Sequence, residues 1–204
     1  MLEKLPDALG HALRGRRAGL DKLAFNMSGL RAGMAAIEVS SIAFADHATI
    51  PARYTADGDG LSPPLQWRSV PTAAASLVLI VEDADAPTPR PLVHAIAVDI
   101  PASEDALAEG ALNGEPGESQ VHVGRNSYLM SGWLPPDPPP GHGAHRYAFQ
   151  VFALLPGEAF SGKPGRDAVM EAIRDRALAS GCLIGTYERP DASIPLAQGR
   201  AAAG

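Results

Sequence analysis

The chain reads as a mostly β protein, an antiparallel sandwich with peripheral helices. Three observations predict it. Ser76 to Val81, Val93 to Ile100 and Tyr147 to Leu155 are apolar runs of strand length bounded by turn residues such as Pro101 and Pro156-Gly157. The segments between strands are rich in proline and glycine, notably Pro135-Pro136-Asp137-Pro138-Pro139-Pro140-Gly141. Successive strands lack the crossover helices that a doubly wound parallel sheet requires.

The elements follow in order. Leu2, Leu5, Leu9, Leu13 and Leu20 recur near helical spacing, so residues 3–22 read as an amphipathic helix, weakened by Gly10, Gly15 and Gly19. Such a helix packs on the main domain or on a second copy, which makes a homodimer an expectation to test. Residues 24–35 read as a linker carrying Asn26, Ser28, Gly29 and Gly33. Short strands begin at Ala36 with Ile37 and Val39. One helix is strongly written in the second half: Asp167 caps it, and Val169, Met170, Ile173 and Ala177 form its apolar stripe up to Gly181. A short late strand runs from Leu183 to Tyr187. The chain thus divides into an N-terminal segment (1–35), a domain (36–190) and a tail (191–204).

The 204 residues suffice for one core, and 46% hydrophobic with 20% charged residues exclude general disorder. A net charge of -6, with no basic run beyond Arg14-Gly15-Arg16-Arg17, argues against nucleic acid as a partner. Cys182 is the single cysteine, so no intramolecular disulfide forms and a reducing compartment is expected. The N-terminus lacks the apolar stretch of a secretory signal, and no segment is apolar enough to span a bilayer, so the cytoplasm is the expected location.

Chemistry concentrates at strand ends. Asp83 and Asp85 follow the first apolar strand. Side chains alternate along a strand, so His94 shares a face with Ile96, Val98 and Ile100, and His145 and Tyr147 share one with Phe149 and Val151. If the three strands are antiparallel neighbours, these ends converge on one rim, walled by the prolines of 135–140. Taken singly, an Asp near a turn or a His at a strand end is ordinary structure; their joint occurrence points to a small-ligand pocket.

Four segments carry a family resemblance: Asp57-Gly58-Asp59-Gly60-Leu61-Ser62-Pro63-Pro64-Leu65-Gln66-Trp67, Asp83-Ala84-Asp85-Ala86-Pro87, Pro138-Pro139-Pro140-Gly141-His142-Gly143-Ala144-His145-Arg146-Tyr147, and Leu183-Ile184-Gly185-Thr186-Tyr187-Glu188-Arg189. In order and spacing they resemble the phosphatidylethanolamine-binding proteins, in particular the bacterial Raf-kinase-inhibitor-like branch. The resemblance implies a Greek-key β-sandwich whose surface cavity holds phosphate or a phospholipid headgroup. It implies a cavity lined by Asp83, Asp85, His94, His145 and Tyr147, with Pro138 at its edge, and a binding, regulatory role without catalysis or cofactor. Ala84 stands where the family has proline, Ala95 where an aromatic is common, Asp137 in the wall loop, and Arg176 where the late helix carries histidine. Bare carboxylates repel phosphate, so binding needs an imidazolium, a protonated Asp or backbone N–H donors, and phosphate is expected to bind more tightly at pH 6 than at pH 8.

Other readings compete. His94, His142, His145, Asp83 and Asp85 are metal-ligand types, but no His-x-His or His-x-x-x-His spacing accompanies them. A hydrolase needs a nucleophile beside a base, and no Gly-x-Ser-x-Gly elbow is present. Calcium at Asp57-Gly58-Asp59-Gly60 is rejected because the twelfth position is Arg68 rather than Glu. The proline loop as a partner-binding surface ranks lowest.

Overall fold

The computed structural model describes residues 7–30, 36–113 and 121–189. Two antiparallel sheets form a sandwich. Strands β1 (Glu38–Ser40), β2 (Leu65–Arg68) and β5 (Ala106–Leu107) make the small sheet in the order β1-β2-β5. The large sheet has the order β6-β4-β3-β7-β8, from β3 (Ser76–Asp83), β4 (Leu92–Pro101), β6 (His122–Val123), β7 (His145–Leu154) and β8 (Ala177–Tyr187). β3 lies between β4 and β7 and pairs antiparallel with both. The three strands expected to be neighbours are neighbours, and the chain crosses between sheets as a Greek key requires.

Residue parity sorts the core. Leu77, Leu79 and Val81 of β3, with Phe149 and Val151 of β7, face Trp67 and Leu65 of the small sheet. Val78 and Ile80, with Phe152 and Leu154, face outward and are covered by Val169, Met170 and Ile173 of α3 (Arg166–Arg176). A sheet buried on both faces needs apolar residues at every position, which is why β3 and β7 read as unbroken runs.

The sequence reading of the helices needs correction. α3 stops at Arg176, and β8 starts at Ala177 rather than at Leu183. Pairing with β7 along its whole length, from Leu154↔Ala177 to His145↔Tyr187, overrides the helical stripe that Ala177 to Gly181 suggested. The N-cap is Gly165, and Asp167 sits in the first turn without capping it.

At the N-terminus, α1 spans only Asp7–Leu13, and residues 3–6 of the helix expected over 3–22 lie outside the described ones. Beyond it the chain extends, and the Ala18 and Gly19 amides donate to the Ala86 and Ala84 carbonyls at 2.9 Å each. Residues 24–30 are not a free linker. α2 (Ala24–Met27) is anchored by its own backbone, with Ala24 N–H on Glu82 Oε2 (2.7 Å) and Phe25 N–H on Gln150 Oε1 (2.7 Å). Residues 31–35 and the tail from 191 lie outside the described residues. No helix among the described residues is long and apolar enough to cross a membrane.

Candidate functional site

Asp83 ends β3 directly opposite Tyr147 of β7, and His145 lies two residues before Tyr147 on the same face. Register alone therefore gathers a carboxylate, an imidazole and a phenol at one end of the sandwich. His94 joins them by a different route. Val81 pairs with Ala95 while the next residue, Glu82, pairs with Val93, so His94 is the extra residue of a β-bulge.

The bulge overturns the simple alternation. Ile96 and Val98 pack outward under α3, whereas His94 turns inward against Trp133 and Tyr147, with ring centroids 6.2 and 5.0 Å away. His94 reaches the interior because the strand is irregular, not because it shares a face with Ile96 and Val98.

Asp83, His94, His145 and Tyr147 are each 4% exposed or less, so these side chains are buried rather than lining an open surface cavity. The Asp83 Oδ1 accepts the Asp85 amide (2.8 Å), which closes the Asp-x-Asp turn, and Oδ2 meets His145 Nδ1 at 2.7 Å. His145 Nε2 lies 2.6 Å from His142 Nδ1, and His142 Nε2 lies 2.9 Å from the Leu13 carbonyl. His94 Nδ1 is 2.6 Å from the Leu134 carbonyl and must donate to it. His94 Nε2 and the Tyr147 hydroxyl are buried with no hydrogen-bond partner. Burial pushes the His94 imidazole below its ordinary value, while the Asp83 carboxylate and Leu134 carbonyl pull the other way. Burial, with Asp83 adding to it, raises the Tyr147 phenol well above its ordinary range.

Asp85 is turned elsewhere. Its buried carboxylate accepts from Arg146 N–H (2.9 Å), Nε (2.7 Å) and Nη2 (2.7 Å), and from Arg17 Nη1 at 2.8 Å. Arg146 points to the opposite face from Tyr147, so Asp85 fixes the turn and the N-terminal segment rather than lining the pocket with the others. Burial alone would raise this carboxyl; the hydrogen bonds from Arg146 and Arg17 instead hold it at about 2.

The wall is set by Arg189, which donates through Nη1 to the Pro138 carbonyl (3.1 Å) and to Asp137 (2.6 Å), and through Nη2 to Asp57 (2.8 Å). Pro138 is buried in this loop. Asp57, which also accepts from the Tyr187 hydroxyl at 2.6 Å, thus belongs to an ion-pair network and not to a calcium loop. Among the described residues no group of three or more His, Cys, Asp and Glu could hold a metal ion. Two members of the cluster were not assigned to the pocket from sequence: His142, named only among possible metal ligands, and Arg189. The clues were present: His142 stands three residues before His145, and Arg189 two after Tyr187.

Two sheets around one core, with imidazoles, a phenol and a carboxylate gathered at the ends of the central strands, define a β-sandwich protein with a polar site at one end. Residues 40–188 match the family model described as phosphatidylethanolamine-binding protein, and the chain belongs to that family. A UPF0098 protein of Aquifex aeolicus (strain VF5) is 38% identical over 172 residues, which are 83% of this chain and 99% of that protein. A UPF0098 protein of Pyrococcus abyssi is 37% identical over 157 residues, 75% of this chain and 85% of that one. The crystal structure of a phosphatidylethanolamine-binding protein homolog from Chlamydia trachomatis superposes with a TM-score of 0.68 at 34% identity, covering 76% of this chain and 98% of that chain. Escherichia coli YbcL, described as a member of the mammalian PEBP family, gives 0.69 at 26% identity over 76% of this chain and 99% of its own.

Proposed function

We propose that the protein binds a small phosphate-bearing ligand, free or as a headgroup, at His94 and Tyr147, in a regulatory rather than catalytic role. The observation that carries this reading is the pair of buried, unpartnered polar atoms, His94 Nε2 and Tyr147 Oη. Buried polar atoms without partners are costly, and a ligand that satisfies both recovers that cost.

The hydrogen bonding defines what fits. With Nδ1 donating to Leu134, a neutral His94 offers a lone pair at Nε2, whereas Tyr147, held as the phenol, offers a donor. A hydrogen phosphate supplies the complement: its P–OH donates to His94 and a P–O⁻ accepts from Tyr147. Asp83 does not face this anion as a bare charge, because His145 engages its carboxylate at 2.7 Å. Lower pH favours the P–OH form that donates to His94, so the pH expectation drawn from the sequence keeps its direction. The family match supports a ligand site of this class. A single cysteine suits a reducing compartment, and we place the protein in the cytoplasm.

The test is calorimetric titration with inorganic phosphate at pH 6 and pH 8, using the full chain, Tyr147→Phe and His94→Leu, with melting curves to confirm folding. Loss of one hydrogen bond to a charged ligand predicts a drop of about tenfold in affinity for each variant. Binding that ignores both substitutions and pH defeats the reading. A phosphoester hydrolysis assay with His145→Ala as control tests the rival hydrolase.

A further inference from the structure

We infer that docking of the N-terminal segment loads the buried Asp83–His145–His142 chain with one extra proton, so that residues 7–18 set the charge of the candidate site. Its consequence for ligands rests on the reading of that site given above.

The segment lies across both loops that carry the site. A Cβ at Gly10 would fall on the Pro140 carbonyl, so α1 approaches the wall loop backbone to backbone. Arg14 Nε donates to Gly141 O (3.2 Å), and Arg17 donates to Ala144 O (3.0 Å) while pairing with Asp85 (2.8 Å). Ala18 and Gly19 extend along the turn that follows Asp83. Most of this lies before Ser40, where the family match begins.

Counting protons gives the coupling. Three contacts link four groups: Asp83 Oδ2 to His145 Nδ1 (2.7 Å), His145 Nε2 to His142 Nδ1 (2.6 Å), and His142 Nε2 to Leu13 O (2.9 Å). Each is a hydrogen bond only if one proton sits in it. Two neutral imidazoles and a carboxylate carry two protons. The Leu13 carbonyl can only accept, so His142 Nε2 must be protonated, and the chain then holds three protons and no net charge. Without Leu13, His142 can carry its proton on Nδ1, both remaining contacts are satisfied by two protons, and the chain is an anion. Burial, with His145 next to it, moves His142 away from the charged form. With His142 Nδ1 accepting from His145 Nε2, the remaining contact, between His145 and Asp83, holds the third proton.

The surrounding charges do not supply an alternative switch. Arg17 faces His142 from the N-terminal segment, and Arg14 reaches the neighbouring Gly141 carbonyl. Arg146 with Asp85, and Arg189 with Asp137, are paired ions on either side. His94, Tyr147 and Tyr187 face His145 and Asp83 from the neighbouring strands. Docked, the chain binds more protons than undocked, so docking strengthens as pH falls and weakens as it rises. A neutral chain also repels an incoming phosphate less than an anionic one.

The test is imidazole ¹H–¹⁵N spectroscopy of the full chain between pH 5 and pH 9, compared with Gly10→Val, whose side chain collides with the Pro140 carbonyl and substitutes no site residue. In the unaltered protein near neutral pH, His142 is expected protonated on Nε2 and bare on Nδ1, with the extra proton at His145. In Gly10→Val at the same pH, His142 should carry its proton on Nδ1 and the extra proton should be absent. His142 protonated on Nδ1 alone in the unaltered protein, or a protonation pattern unchanged by Gly10→Val, overturns the inference. These spectra need no ligand: the expected pattern without phosphate binding upholds the proton link and defeats the ligand reading. Phosphate binding with a protonation pattern that Gly10→Val leaves unchanged does the reverse.

Discussion

The Arg189 guanidinium lies 2.6 Å from the Asp137 carboxylate, and this contact decides what Asp137 does in the wall loop. Alone, an aspartate beside an anion site would repel the ligand. Paired with a side chain only 8% exposed, its charge is cancelled and the loop is tied to the end of β8. Arg189→Ala takes the guanidinium away from Asp137, Asp57 and the Pro138 carbonyl together, leaving Asp57 its Tyr187 hydroxyl. Removing one partner of a largely buried ion pair predicts a stability loss of about 3 kcal/mol. Urea denaturation checks it, and a loss below about 1 kcal/mol would mean that the network is solvated and the wall held by its prolines alone.

Asp85 predicts acid sensitivity. Its carboxyl is held at about 2 in the folded chain against an ordinary value of 3.8. A depressed carboxyl stabilises the fold above its unfolded value and loses that contribution as pH falls through the folded one. The contribution is about 2 kcal/mol, present above pH ~5 and lost between pH ~4 and ~2. Asp85→Asn should therefore be less stable than the unaltered chain at pH 7, and the gap should narrow as pH drops towards 2. Parallel denaturation curves with a constant gap from pH 7 to 2 would refute the assignment.

Much of the site was legible because strand periodicity and register are short-range. Asp83, His145 and Tyr147 share one face by alternation, and apolar runs identified β3, β4 and β7. His94 was placed inward for the wrong reason, since a bulge is set by the fit of β4 against β3 and leaves no periodic mark in the sequence. Asp85 misled because Asp-x-Asp looks symmetrical, whereas the strand end sends one carboxylate to His145 and the other to Arg146. The N-terminal segment was misread for a tertiary reason. Its leucines have helical spacing, but Ala18 and Gly19 gain backbone hydrogen bonds from the 84–86 turn that a continuous helix would forgo.

Two glycines of β8 mark close packing rather than flexibility. A Cβ at Gly181 would collide with the Ile37 carbonyl, and one at Gly185 would lie 2.5 Å from Ile50 Cγ1. Gly181→Ala forces β8 away from the segment leading into β1. Overpacking against backbone predicts a cost of about 2–3 kcal/mol, or a melting temperature lower by roughly 5–10 °C. Gly15→Ala, where a Cβ meets nothing within 4 Å, should stay within about 0.5 kcal/mol of the parent. Equal melting temperatures for both variants would show that β8 can shift freely.

Glu82 anchors the opposite face. It is fully buried and accepts from Arg166 Nε (2.6 Å), Gln150 Nε2 (3.0 Å) and the Ala24 amide (2.7 Å), so one carboxylate ties α2, α3 and β7 together. Glu82→Met leaves a guanidinium, largely shielded, without its counter-charge and a helix amide without an acceptor. The expected loss is about 3–5 kcal/mol. Replacing both charges, Glu82→Met with Arg166→Met, removes the stranded cation, so the double variant should be more stable than Glu82→Met alone. Chemical denaturation of the three proteins decides it. A double variant no better than the single would mean that the cost lies in the lost amide and Gln150 contacts, and that the ion pair contributes little to holding α3 on the sheet.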